Sequence, residues 1–203
     1  KQYISYIQDS SKSMLALVNS LLDWTRLQTG RIKFEPEKIN AEELINSSIN
    51  TVSGNAMKKG IKIQNLVDTS YYLFVDKNLA LQVFNNLLSN AVKFTKRGDS
   101  ITISSKPSST LRFMQFSVKD TGRGIKPENV TKLFNIETKF TSEGTAGEKG
   151  SGMGLSLVKE IILKHGGTID VKSEYEKGTE FIFSLPVASA KILLVEPNKR
   201  DRI

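Results

Sequence analysis

The stretch 82-QVFNNLLSNAVKFT-95 narrows what this chain can fold into more than any other. Val83, Phe84, Leu87, Leu88, Ala91 and Phe94 recur at helical spacing, so the segment predicts a core helix with one buried face. Asn86, Asn90 and Lys93 stand at i, i+4 and i+7, which puts them on one polar line beside that apolar stripe. Asparagine is a mediocre helix former because its amide competes for backbone hydrogen bonds. A pair of them on a core helix therefore invites a reason beyond folding. An amide oxygen is a neutral hard ligand suited to magnesium, and a lysine one turn on can pair with phosphate. The line can hold a magnesium-bound triphosphate; it can equally be an ordinary helix surface.

The other elements follow from the same reading. Residues 1–30 read as one helix. Ile4, Ile7, Ser11, Met14, Val18, Leu21 and Thr25 form a heptad seam, and Leu15, Leu17, Leu22, Trp24 and Leu27 widen it. So apolar a face must pack on partner helices, either of its own domain or of a dimer, and Gly30 ends it as a C-cap. Residues 31–35 alternate like a short strand, Asn40 is placed to cap a helix that Gly60 closes, and Glu43 suits a capping box. Strands are predicted at Ile61–Leu66 and Tyr72–Val75, and Asp76 caps the helix quoted above. Ile101–Lys106 with Leu111–Lys119, and Thr168–Ser173 with Thr179–Leu185, read as two hairpins. A short helix after Pro127 and a longer one over Gly152–His165 lie between them. Strand pairs separated by helices predict an α+β fold, a two-layer sandwich with helices on one face of a mixed sheet.

Composition closes off some functions. The 203 residues include no cysteine, so neither a disulfide framework nor a thiolate metal site is available. No apolar run is long enough to cross a bilayer, and no signal peptide is visible at Lys1. The net charge of +8 reads as a solvated lysine-rich surface. No arginine-rich run or aromatic-basic interleaving points to nucleic acid. The first residue is not Met and the last stretch is a charged stub, which reads as a piece of something longer.

Two further segments carry chemistry. In 118-VKDTGRGIKPE-128, Asp120 ends a strand and Gly122 and Gly124 follow at D-x-G-x-G. A carboxylate there can accept a hydrogen bond from an exocyclic amine such as adenine's, and the glycines let the backbone approach a flat ring; a plain Asp-Gly turn is the bland alternative. In 147-GEKGSGMGLSLVKEI-161, Gly150, Gly152 and Gly154 precede a helix whose N-terminus can face an anion. Neither the dinucleotide fingerprint nor a P-loop fits, since no strand precedes the glycines and no G-K-[ST] is present.

Taken in order, an N-x-x-x-N helix, D-x-G-x-G, a glycine-rich lid and G-x-G-x-G-L resemble the ATP-binding catalytic domain of sensor histidine kinases, within the wider gyrase and mismatch-repair ATPase family. The resemblance covers residues 31–187 and implies a Bergerat-type ATP-binding fold. Residues 1–30 resemble the second helix of a dimerisation and histidine-phosphotransfer hairpin. Residues 188–203, through 191-KILLV-195, resemble a linker and the first strand of a receiver domain, although Glu196 is followed by Pro197 where receivers place further acidic residues.

The resemblance implies ATP and Mg²⁺ as cofactors. It implies Asn90 as the metal ligand, Asn86 beside metal and phosphates, and Lys93 on phosphate, so that Asn86 and Lys93 are the candidate catalytic pair. Asp120 would read the adenine amine, with Gly122 and Gly124 shaping its pocket and Thr179 closing it. A lid from Thr138 to Lys149 would cover the triphosphate, with Gly150, Gly152, Gly154 and Leu155 facing it. ATPase members of the family carry a glutamate where this chain has Asn86, and an amide cannot take a proton from water. The reading is therefore a kinase part of a two-component phosphorelay, transferring the γ-phosphoryl to a histidine on a missing helix. His165, the sole histidine, matches a structural residue instead. Implied partners are that phosphoacceptor helix, a response-regulator receiver and a second copy through helix 1–30, in a cytoplasmic setting whose parent can be membrane-anchored. A non-kinase ATPase and a vestigial nucleotide-binding module are the alternatives.

Overall fold

The structure is a computed structural model and describes residues 33–68, 70–135, 142–148 and 152–188, together with scattered positions between 11 and 30. A helix α1 spans Ala41–Lys59, α2 Lys77–Phe94, α3 Pro127–Val130 and α4 Gly154–Lys164. The strands are β1 Glu37–Asn40, β2 Lys62–Leu66, β3 Tyr72–Val75, β4 Ser100–Pro107, β5 Phe113–Asp120, β6 Ile169–Glu174 and β7 Gly178–Pro186.

Local chemistry sets the helix ends. The Asn40 side chain accepts from the amides of Glu42 and Glu43, and Gly60 in the left-handed region closes α1. Asp76 Oδ1 accepts from Asn78 and Leu79 at the start of α2, both at 3.1 Å. Its Oδ2 accepts the amide of Glu35, so one carboxylate caps the helix and anchors the incoming chain.

Five strands form one mixed sheet in the order β2-β4-β5-β7-β6, with β2 parallel to β4 and the remaining pairs antiparallel. β1 and β3 pair separately and antiparallel. The helices pack on the sheet through Phe84 of α2, Phe116 of β5 and Phe183 of β7. Their ring centroids lie 5.3–5.6 Å apart and all three are fully buried. The expected α+β sandwich is the architecture observed.

Three expectations need correction or restriction. Residues 33–35 are not a strand; the strand that pairs with β3 is 37–40. There the Phe34 ring stands edge-on to His165 at 4.9 Å, and side-chain docking takes the place of a ladder. The later helix begins at Gly154, not Gly152. Of the predicted helix 1–30, Ser11, Met14, Leu15, Val18, Asn19, Leu21, Leu22, Thr25 and Arg26 are helical, and Gly30 has φ +66°. Thr29 and Gly30 form a turn, and the other residues of 1–30, like residues 189–203, lie outside the described residues.

His165 is buried with both ring nitrogens bonded. Nε2 accepts the Asp76 amide at 3.0 Å, so Nδ1 carries the proton and donates to the Ile161 carbonyl at 2.8 Å. Burial pushes its pKa down. This is a structural histidine joining the C-terminal end of α4 to the start of α2.

Candidate functional site

A cavity of about 510 Å³ opens between α2, the loop after β5, the start of α4 and the β6–β7 hairpin. At one end Asp120, at the tip of β5, is buried. Its Oδ1 accepts the amides of Gly122 at 2.9 Å and Thr179 at 3.3 Å. Among the described residues, Oδ2 takes no donor. Burial raises the Asp120 pKa to about 6; the two amide hydrogen bonds pull the other way, and Asp99 adds to the rise. A carboxyl so placed still ionises at neutral pH, and its second oxygen takes no donor among the described residues.

Backbone crowding fixes this end. Gly124 has φ +65°, and a β-carbon there would run into the Glu174 carbonyl. A β-carbon at Gly122 would meet the Phe94 carbonyl at the end of α2. Ser173 completes the frame: its hydroxyl accepts the Ile125 amide at 2.9 Å, donates to the Gly178 carbonyl at 3.0 Å and lies 2.9 Å from Thr179 Oγ1. Thr179 is thereby held for its bond to Asp120.

The other end is built from α2 and α4. Asn86, Asn90 and Lys93 all line the cavity. The Asn86 amide nitrogen donates to the Gln82 carbonyl at 2.8 Å. Its oxygen thus faces Gly154, whose added β-carbon would come within 2.6 Å of it. Gly154 lets the start of α4 sit directly against Asn86. Burial first, and the charge of Arg123, lower the Lys93 pKa, while Glu148 acts in the opposite sense.

Residues 142–148 of the predicted lid sit beside the C-terminal end of α2, with Ser142 on the cavity wall. Lys59 at the end of α1 is their anchor. Its three N–H groups are shared among four acceptors within hydrogen-bond distance: the carbonyls of Val92 and Lys93, Thr145 Oγ1 at 2.7 Å and Glu148 Oε1 at 3.0 Å. Thr145 adds a bond from its amide to the Lys93 carbonyl at 2.9 Å.

The structure brings Asn86, Asn90, Lys93, Asp120, Gly124 and Thr179 to one cavity, joined by Gly152, Gly154 and Leu155. Gly122 stands behind the wall. Lys149 and Gly150 lie outside the described residues. Sequence reasoning missed Ser173, Arg123, Lys126 and Tyr175; only Arg123 carried a signal, as a cation between the two glycines of D-x-G-x-G.

The donor set also bears on a metal. Among the described residues no three His, Cys, Asp or Glu side chains come together as a metal cage. The amide oxygen of Asn90 on a half-buried helix face fits a magnesium that keeps most of its ligands from water and phosphate.

The family model for histidine kinase-, DNA gyrase B-, and HSP90-like ATPases matches residues 75–189, more than half of the chain. The chain belongs to this family. Among curated relatives, it is 31% identical over 190 residues to hybrid signal transduction histidine kinase B of Dictyostelium discoideum, covering 92% of this chain and 10% of that protein. It is 33% identical over 186 residues to the sensor protein SrrB of Staphylococcus aureus (strain NCTC 8325 / PS 47), covering 92% of this chain and 32% of that one. The chain thus spans a third or less of these relatives. Among solved structures it resembles full-length ShkA in complex with AMPPNP, with a TM-score of 0.78, 28% identity and coverage of 93% of this chain and 39% of that one. It also resembles the histidine kinase ThkA in complex with the response regulator protein TrrA, with a TM-score of 0.72, 26% identity and coverage of 93% and 51%. In this chain the two ends of the cavity fall at the D-x-G-x-G loop and the N-x-x-x-N helix.

Proposed function

We propose that this chain is the Mg-ATP-binding catalytic part of a two-component sensor histidine kinase. The observation that carries this is the cavity itself, which joins a backbone-held carboxylate at Asp120 to the Asn86–Asn90–Lys93 line. Asp120 accepts the adenine amine through its remaining oxygen, and Gly124 and Thr179 frame the ring. Asn90 would hold the magnesium, which supplies charge neutralisation for the phosphates. Lys93 pairs with phosphate, and the start of α4 at Gly154 turns backbone amides toward it.

Asn86 separates a kinase from a water-activating ATPase. Its nitrogen is engaged with the Gln82 carbonyl, and an amide has no proton affinity at neutral pH. The cavity's carboxylates among the described residues are Asp120, tied to backbone amides, and Glu128 on α3. With an amide at position 86, where the family's ATPases carry the glutamate that activates water, the γ-phosphoryl is kept for a histidine imidazole presented in line, a reaction that relies on positioning and charge stabilisation. His165 cannot be that nucleophile, since Nε2 accepts the Asp76 amide and Nδ1 is spent on the Ile161 carbonyl. The acceptor belongs to a phosphotransfer helix beyond these 203 residues, residues 1–30 supply a dimerising helix, and a receiver domain takes the phosphoryl onward. The histidine kinase name of one relative, the sensor-protein name of the other, and the AMPPNP and TrrA complexes of the two structural neighbours support this reading.

The test is incubation with Mg-ATP labelled at the γ-phosphate, alone and with a separate hairpin bearing a phosphoacceptor histidine from a related kinase. Label on the hairpin, none on His165 and little free phosphate are expected. Fast phosphate release without the hairpin would favour the ATPase reading.

A further inference from the structure

Arg123 sits between the two glycines of D-x-G-x-G, and its backbone is pinned on both sides. Its amide donates to the Phe94 carbonyl at 3.0 Å, and its carbonyl accepts the Glu176 amide. The side chain leaves this adenine-side loop and reaches toward the phosphate end. The guanidinium lies 5.6 Å from the centroid of the Phe94 ring, and Nη2 donates to the Glu143 carbonyl at 3.1 Å. It lines the same cavity as Lys93.

Among the described residues, neither Arg123 nor Lys93 belongs to an ion pair. The nearby Glu148 is bound instead to Lys59. Among the described residues these two cations share one cavity with no ion pair of their own; Glu148 offsets the repulsion that Arg123 exerts on Lys93, and both cations gain from a polyanion placed between them. A carbonyl oxygen is a weaker partner for a guanidinium than a phosphate, which accepts two parallel charge-assisted bonds. The Phe94 ring keeps the guanidinium plane near the end of α2, where Lys93 also emerges.

Resting on the nucleotide reading above, we propose that Arg123 is a nucleotide-binding residue: it exchanges its bond to the Glu143 carbonyl for the polyphosphate and so acts as a second cation beside Lys93. Glu143 lies in the described part, 142–148, of the segment expected as the lid, so the exchange also releases that contact when a polyphosphate binds. Arg123 thus links the loop that reads the base to the segment that covers the phosphates.

Calorimetric titration of the wild-type chain, Arg123→Gln and Arg123→Lys with ATP, ADP and adenosine, in magnesium at fixed salt, tests this. Arg123→Gln is expected to weaken ATP about tenfold or more, as for a lost charge-assisted bond. ADP should weaken less, adenosine should change by less than about twofold, and Arg123→Lys should recover part of the ATP affinity. Unchanged adenosine binding also reports that the variant is folded. ATP affinity within about twofold of wild type in Arg123→Gln, or an equal loss for adenosine and ATP, overturns the proposal while leaving the nucleotide site standing. Failure of the wild-type chain to bind any of the three overturns both.

Discussion

At the Asp120 end of the cavity, Gly122 and Gly124 stand where any side chain would run into backbone, and Ser173 and Thr179 lock the hairpin to the loop. At the Asn90 end, the groups that face the cavity are long or amide side chains on a helix, and the segment beside them is tied down by Lys59, by Thr145 on the Lys93 carbonyl and by Arg123 on the Glu143 carbonyl. The first end is shaped by packing, so its geometry and the stability of the fold are the same thing. The second carries its chemistry on side chains that the core does not need. On the proposed reading, a base end fixed by packing and a phosphate end carried on side chains suit a ligand whose terminal phosphoryl must move while its base stays fixed.

The comparison breaks most visibly at Gly124. Gly124→Ala should cost about 3 kcal/mol or more, since a left-handed φ and a backbone collision coincide there. A denaturant midpoint equal to wild type would show that the loop yields and that the adenine end is not fixed by packing. Next comes Asn90→Ala, expected to lower Mg-ATP affinity by about tenfold or more while shifting stability by no more than about 0.5 kcal/mol. Paired calorimetry and thermal melts measure both. A large stability loss would make Asn90 a structural residue.

Asp120 sharpens the contrast because its two roles oppose each other. Its folded pKa of about 6 lies above the ordinary carboxylate value, so the native state takes up the proton more readily than the unfolded chain. The protonated group contributes stability that is lost as pH rises through about 6, and the ionised carboxylate is a cost at neutral pH. Asp120→Asn should therefore raise stability by about 1–2 kcal/mol at pH 7.5, with the gain shrinking toward pH 4, while weakening ATP and its discrimination from GTP. Wild-type ATP binding should also fall as pH drops through about 6, and the variant should not share that fall. Melts and titrations across this range read both effects. The smallest expected effect is Glu148→Gln, below about 1 kcal/mol, since the Lys59 pair is partly exposed. Its signature is faster amide exchange at Ala146, whose N–H donates to Glu148 Oε2.

Much of the architecture is legible in the sequence because it is local. Asn40 and Asp76 cap the helices they precede, and the two hairpins alternate with period two along their own length. β1 is not legible: 37-EKIN-40 lacks alternation, and it becomes a strand only because β3 lies alongside. Phe34 looks like a strand residue but is claimed by His165, far along the chain. Within the site, Asn86, Asn90 and Lys93 declare themselves by helical spacing, and Asp120 by the glycines after it. Ser173 and the Lys59–Glu148 anchor do not, because each acts on residues from another element and has no neighbouring pattern to mark it.

The central claim is that one cavity reads adenine with a fixed carboxylate and holds a metal-bound triphosphate with amides and cations. It is tested most directly by titrating the purified chain with ATP in magnesium, with ATP in EDTA, and with GTP in magnesium. The account predicts one ATP per chain, weaker binding without the metal and weaker binding of GTP. Equal affinity for all three, or no heat with Mg-ATP, would contradict it.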